Sequence, residues 1–158
     1  MATDVHIRFD GVDGESTDRD HKGEVRVLTW GWGVAQAASP AGAGSGTGKA
    51  TPADLVFTHD YDKASPLLAR RCAQGKHFPT VVLSARKAGE GQKDFLKVTM
   101  KEVFITSIQV VGQGEGDLQE SVSLRYGTIE FGYKPQDGRG GLGAEVKFNW
   151  DLKSGKVT

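Results

Sequence analysis

The chain has 158 residues, of which 37% are hydrophobic and 25% charged, enough for one folded domain with a core and too few for two. Twenty Lys and Arg balance twenty Asp and Glu with no long run of one sign. A duplex-binding surface needs clustered excess cations to displace counterions, so nucleic acid is not an expected partner. No run approaches the ~20 apolar residues of a membrane helix, and membrane insertion is not expected either. Cys72 is the sole cysteine, which allows no intrachain disulfide and suits synthesis in a reducing cytoplasm. The first residues alternate polar and apolar side chains and hold no apolar run of signal-peptide length, so export, if it occurs, is expected without a cleavable signal.

Period-two alternation dominates, punctuated by 22 glycines. Val5, Ile7 and Phe9 alternate with Asp4, His6 and Arg8, which predicts a first strand with His6 on its polar face. Gly11 and Gly14 open a polar loop that runs to Gly23. The next strand sets Leu28, Trp30, Trp32 and Val34 against Val27, Thr29, Gly31 and Gly33, and the tryptophan face is expected in the core. Residues 37–50, AASPAGAGSGTGKA, are of low complexity and read as a flexible loop inside a single domain spanning 1–158. Leu55 and Phe57 share a strand face, as do Val81, Leu83 and Ala85. Leu96, Val98 and Met100 hold one phase and Val103 and Ile105 the opposite one, which predicts a bulge or bend near Lys101 and Glu102. Val122, Leu124 and Tyr126 change phase at Gly127 to Ile129, Phe131 and Tyr133. Val146, Phe148, Trp150 and Leu152 mark the last strand.

One helix is predicted, with Ser65 as N-cap, Pro66 in the first turn and Gly75 ending it. Leu68 and Cys72 fall on one face, and so short a helix must dock on the sheet. Strands that bend midway suit a barrel or a strongly coiled sandwich. The expected fold is all-β: a compact barrel of two sheets with one flanking helix.

No catalytic, cofactor or metal site is predicted. The Gly48-Lys49 pair fails as a phosphate loop, since Ala50 stands where a hydroxyl is needed and a strand follows where a helix should. The stretch Asp18-Arg19-Asp20-His21 fails as a calcium loop, because Lys22 occupies a ligand position, and it reads as solvated. His6, His21, His59 and His77 lack metal-ligand spacing and are expected in loops or interfaces. Cys72, facing inward, reads as a small hydrophobe. Any two carboxylates can meet in space, so a small hydrolase stays open. So does a monomeric carbohydrate-binding sandwich with Trp30 and Trp32 as its platform.

The ordered set of motifs is more specific than any one of them. Gly14-Glu15-Ser16-x-Asp18-x-x-His21 is followed by Val27-Leu28-x-Trp30-x-Trp32-Gly33, a Gly-rich loop, Asp54-Leu55-x-Phe57-Thr58 and the Ser-Pro-Leu helix. Then come Gly75-Lys76-His77-Phe78-Pro79, Arg86-Lys87-Ala88-Gly89 and Lys101-Glu102-Val103. Over essentially its whole length the chain resembles the Hcp (haemolysin-coregulated) proteins of type VI secretion systems. The resemblance implies kinship of fold with phage tail-tube proteins and a structural, non-enzymatic role. It implies homo-hexameric rings that stack inside a contractile sheath, are expelled behind a VgrG-like spike and end up outside the cell. It further implies a lumen that carries and stabilises small effector proteins. Because the sequence stops soon after its last predicted strand, the C-terminal toxin extension that some relatives carry is not expected. On this reading Thr29 and Gly31 face the lumen and its cargo, and Gly42, Gly44, Ser45, Gly46, Gly48 and Lys49 form a loop that touches the next ring.

Overall fold

The computed structural model describes residues 2–38, 47–89, 91–139 and 141–158. Its strands are β1 (Thr3–Phe9), β2 (Val25–Val27), β3 (Thr29–Gly31), β4 (Val34–Ala38), β5 (Thr47–Pro52), β6 (Leu55–Asp60), β7 (Phe78–Lys87), β8 (Asp94–Val111), β9 (Gln119–Arg125), β10 (Thr128–Tyr133), β11 (Val146–Asp151) and β12 (Lys156–Val157). A single helix among the described residues, α1 (Ser65–Gln74), lies between β6 and β7.

The phase changes in the sequence mark where strands pass from one sheet to another. The first half of β8 pairs with β7 on one side and β10 on the other, in the sheet order β12-β11-β10-β8-β7-β1-β2. Its second half, from Phe104 to Val111, pairs with β9, which continues through β6 to β3. The turn falls at Glu102, whose φ of 52° is left-handed. Gly127, the break between β9 and β10, donates its N–H to the Lys101 carbonyl at 2.9 Å. A Cβ on Gly127 would come within 3.3 Å of the Glu102 Cβ, so both strands turn at one shared corner and only glycine fits there comfortably.

A second corner is at Leu28, between β2 on one sheet and β3 on the other. Its N–H donates to the Thr58 carbonyl at 2.8 Å. Passing between sheets reverses which side chains face inward. Val27 is buried, Leu28 and Thr29 are exposed, and Trp30 is half-buried. The single uninterrupted face expected for Leu28, Trp30, Trp32 and Val34 is therefore broken, and Leu28 and Val34 stand in solvent. The ladders do not run round into a closed barrel. Two sheets share β8 at one corner and are joined by chain continuity at the other, with the core between them.

That core holds Ile7, Leu55, Phe57, Phe78, Val81, Leu83, Val98, Met100, Val103, Val122 and Leu124, each fully buried. It includes the faces read from alternation in β6, β7, both halves of β8 and β9. Helix α1 adds Leu68, buried against the core, with Cys72 half-buried beside it. Its end is as expected: Gly75 is left-handed at φ 63°, and the N–H groups of Gly75 and Lys76 return to the carbonyls of Cys72 and Arg71. Its start is not. Ser65 lies within the helix, and the cap is made by Asp62, whose Oδ1 accepts from the Ala64 N–H at 2.9 Å. The Ser65 hydroxyl oxygen in turn accepts from the Asp62 N–H. The exchange resembles a capping box shifted one turn upstream.

The segment read as a loop over residues 37–50 is a hairpin at both of its ends. β4 and β5 pair antiparallel from Val34↔Pro52 out to Ala38↔Thr47, and this hairpin joins neither main sheet.

Candidate functional site

The base of the β4–β5 hairpin is fixed by aromatic packing and a relay of hydrogen bonds. Trp32 donates its indole N–H to the Tyr126 hydroxyl, which donates to the Ala53 carbonyl at 2.8 Å. The Ala53 N–H donates to the Gly33 carbonyl at 2.8 Å. Trp32 packs on Phe131 with ring centroids 4.9 Å apart, and Phe148 lies beyond at 6.1 Å. Burial pushes the Tyr126 phenol above its usual pKa, so it stays protonated and can donate. Asp54 adds a further anchor, accepting from Thr106 Oγ1 at 2.7 Å and from Arg125 Nε at 3.1 Å. The scaffold thus holds the hairpin rigidly at its root and displays it. Val34, Ala35, Gln36 and Ala37 are all exposed.

Trp30 and Trp32 are half-buried against the core rather than fully inside it. They do not form an exposed pair of indoles, because Trp32 is held edge-in by Tyr126. Thr29 and Gly31, on the opposite side of β3, are exposed. The Thr29 and Thr58 hydroxyls hydrogen-bond at 2.6 Å, and a Cβ on Gly31 would meet nothing within 4 Å. Of the residues expected in the displayed loop, Gly48 and Lys49 lie in β5 and Lys49 is exposed. Gly42, Gly44, Ser45 and Gly46 lie outside the described residues.

The histidines depart from expectation. His6, His21 and His59 are buried, and only His77 is exposed, its ring against Phe104. Residues 11–24 fold over the outer face of β1 and β7 and cover His6 on the polar side of β1, while Arg8 further along that side stays exposed. Gly14 is buried in this loop, where a Cβ would stand 2.6 Å from the Glu24 carbonyl oxygen. His21 bridges Glu24 at 2.8 Å and Asp94 at 2.9 Å, while its ring stacks on His6. Arg86, also buried, forms ion pairs with Asp18 and with Asp20, the latter at 3.1 Å. The Asp18 to His21 stretch is therefore a docked latch and not a solvated loop.

Elsewhere, His59 Nε2 and Glu120 Oε1 lie 2.8 Å apart with both residues buried. Alternation carried one step beyond Leu55 and Phe57 reaches His59. Carried one step before Val122 and Leu124, it reaches Glu120, so the pair was visible in the pattern. The Arg86 network had no such signal, since it joins a strand to a loop 66 residues away. Among the described residues no group of three or more His, Cys, Asp or Glu is placed to hold a metal ion. No helix among them is long and apolar enough to cross a membrane.

Two sheets sharing a bent strand, with one docked helix and a displayed hairpin, define an all-β scaffold of the kind that presents surfaces and edges to partners. The sequence model of the family described as "Type VI secretion system effector, Hcp" matches residues 6–133. The chain is 46% identical over 157 residues to "Protein hcp1" of Pseudomonas aeruginosa, covering 97% of each. It superposes on a solved structure described as that of a type six secretion system protein with a TM-score of 0.93 and 33% identity, covering 99% of this chain and 100% of the other. Hcp1 from Salmonella typhimurium matches with a TM-score of 0.83 and 34% identity over the full length of both. The chain belongs to the Hcp family, the structural tube proteins of type VI secretion systems.

Proposed function

We propose that this protein closes into homo-hexameric rings which stack into the inner tube, are enclosed by the contractile sheath and are expelled behind a VgrG-like spike. The observation that carries the reading is similarity of sequence and fold over the whole chain, joined to a displayed hairpin that pairs with neither main sheet. A two-stranded hairpin is marginal by itself in water, so a partner surface is the natural place for its outer part. The next ring supplies that surface. The short edge strands β2, β3 and β12 likewise gain partners when subunits meet in a closed ring.

In this assembly Thr29 and Gly31 face the lumen. A small hydroxyl and a glycine keep the wall smooth, and weak contacts repeated around a ring add by avidity, which suits the carriage of small effector proteins. The chain is made in the cytoplasm and leaves the cell with the tube. Light scattering and negative-stain microscopy of the purified protein test the assembly: a ring of six subunits is expected, and a monomer mass independent of concentration overturns it. Shortening the segment 41–49 should leave rings intact and impair their stacking or secretion. Loss of the ring itself would place the hairpin within the ring interface.

A further inference from the structure

Beside the corner at Leu28 lies a cleft of about 770 Å³ between the 15–18 segment, β1, β2 and the turn from β6 into α1. Five carboxylates line it: Asp4, Glu15, Asp18, Asp60 and Asp62. Arg26 is a cation on its wall, and Leu28 and Tyr61 add exposed apolar surface. His6 lines the same cleft. It is only 4% exposed, and its buried Nδ1 has no hydrogen-bond partner. Buried polar atoms are nearly always paired, so an unpaired one beside a wall of carboxylates marks a place where a polar partner is wanted. Burial lowers the His6 pKa to about 4, so at neutral pH the ring carries no charge to repel a cation.

The chemistry that fits is a guanidinium or ammonium group on an aliphatic stem. The stem lies along Leu28 and Tyr61, and the N–H groups reach the carboxylates. The same chain carries such groups in one concentrated segment. Between Lys63 and His77 stand Lys63, Arg70, Arg71 and Lys76, with no Asp or Glu. Arg70, in the second half of α1, and Lys76, just past its C-cap, are both exposed. The two surfaces are opposite in charge and are set apart along the chain: Arg70 stands five residues beyond Ser65, about 8 Å further along the helix, and Lys76 lies just past its end. A head-to-tail contact needs two different surfaces of this kind, because each copy offers one and receives the other.

We infer that this cleft is the receiving half of the contact between neighbouring copies, and that it takes the basic second half of α1, with Arg70 foremost, from the next subunit. The inference rests on the ring reading above. Asp60 and Arg70 are both exposed, so reversing either charge should leave the fold intact, as circular dichroism would report. Asp60→Lys and Arg70→Glu should each raise the concentration at which half the protein is assembled by about tenfold or more, read by mass photometry at low salt. Combining the two reversals should restore assembly toward that of the parent. Should a single variant misfold, Asp60→Asn and Arg70→Gln give the same comparison with smaller effects. Folded single variants that assemble like the parent overturn the inference and leave the ring reading standing. So does a double variant as weak as the sum of the singles. A parent that is itself monomeric overturns both.

Discussion

The imidazoles of His6 and His21 stack with centroids 4.7 Å apart and planes within 8° of parallel. His6 belongs to β1 and His21 to the loop folded over it, so this contact fastens the loop to the sheet. The two rings have opposite proton affinities. Burial lowers the His6 pKa to about 4, with the charges of His21 and Arg86 acting in the same direction and that of Asp4 against it. Burial alone would also lower His21, but hydrogen bonds to the Asp94 and Glu24 carboxylates outweigh it and raise its pKa above the usual value. One ring is neutral so that the other can carry the charge.

Stability should therefore fall as pH drops from about 6.5, the ordinary histidine value, toward 4. The unfolded chain takes up a proton at position 6 across that window and the folded one resists it. The slope from this group is at most about 1.4 kcal/mol per pH unit. His21 acts in the opposite sense: its contribution is fully present below about 6.5 and is lost as pH rises through its raised folded pKa. Urea midpoints of the parent and His6→Gln between pH 7.5 and 4.5 check this. The variant should show a flatter acid limb, and parallel curves would count against the role of His6.

The buried His59–Glu120 pair should be intolerant of losing one member. Glu120→Leu leaves the His59 ring buried without its partner and should cost about 3 kcal/mol. The double variant His59→Phe, Glu120→Leu should recover most of that loss, because no polar group is then stranded. Chemical denaturation with an unchanged m-value would report both.

Trp30→Ala should cost about 2 kcal/mol, less than the ~3–5 kcal/mol of a fully buried large aromatic, since its indole is only half-buried. Phe57→Ala, directly across the ladder and fully buried, should fall in the larger range. Equal losses in the two variants would mean that Trp30 is better packed than its exposure indicates.

Gly31→Arg should change stability by less than about 0.5 kcal/mol, because the position opens into free space. Rings of unchanged mass should co-purify with less effector than the parent. Undiminished retention would remove this face from the cargo surface.

Glu102 holds a left-handed conformation with an exposed side chain paired to Lys153. Glu102→Val should destabilise by about 1–2 kcal/mol, as a branched Cβ crowds that conformation, while Glu102→Gly should be close to neutral. Thermal melts of the two variants separate backbone strain from loss of the ion pair, which both substitutions remove.

Local alternation determined a great deal. Leu55 and Phe57, Val81 and Leu83, and Val98 and Met100 each face the core, because a strand with one buried side leaves a period of two in its sequence. The phase breaks at Glu102 and Gly127 located the corner, since a change of inward face without a turn requires the chain to change sheets. Gly75 ended the helix for reasons of backbone geometry that are local to it. The ordered motifs from Gly14 to Val103 indicated the family. What only the tertiary structure decided are the contacts between segments distant in sequence. His6 sits on the polar face of its strand and is buried because residues 11–24 fold across it. Arg86 is buried because Asp18 and Asp20 meet it from that loop. Leu28 is exposed because β2 and β3 belong to different sheets. Periodicity reports which side of an element a residue occupies, whereas burial depends on what else covers that side, and the covering segment leaves no mark on the strand it covers.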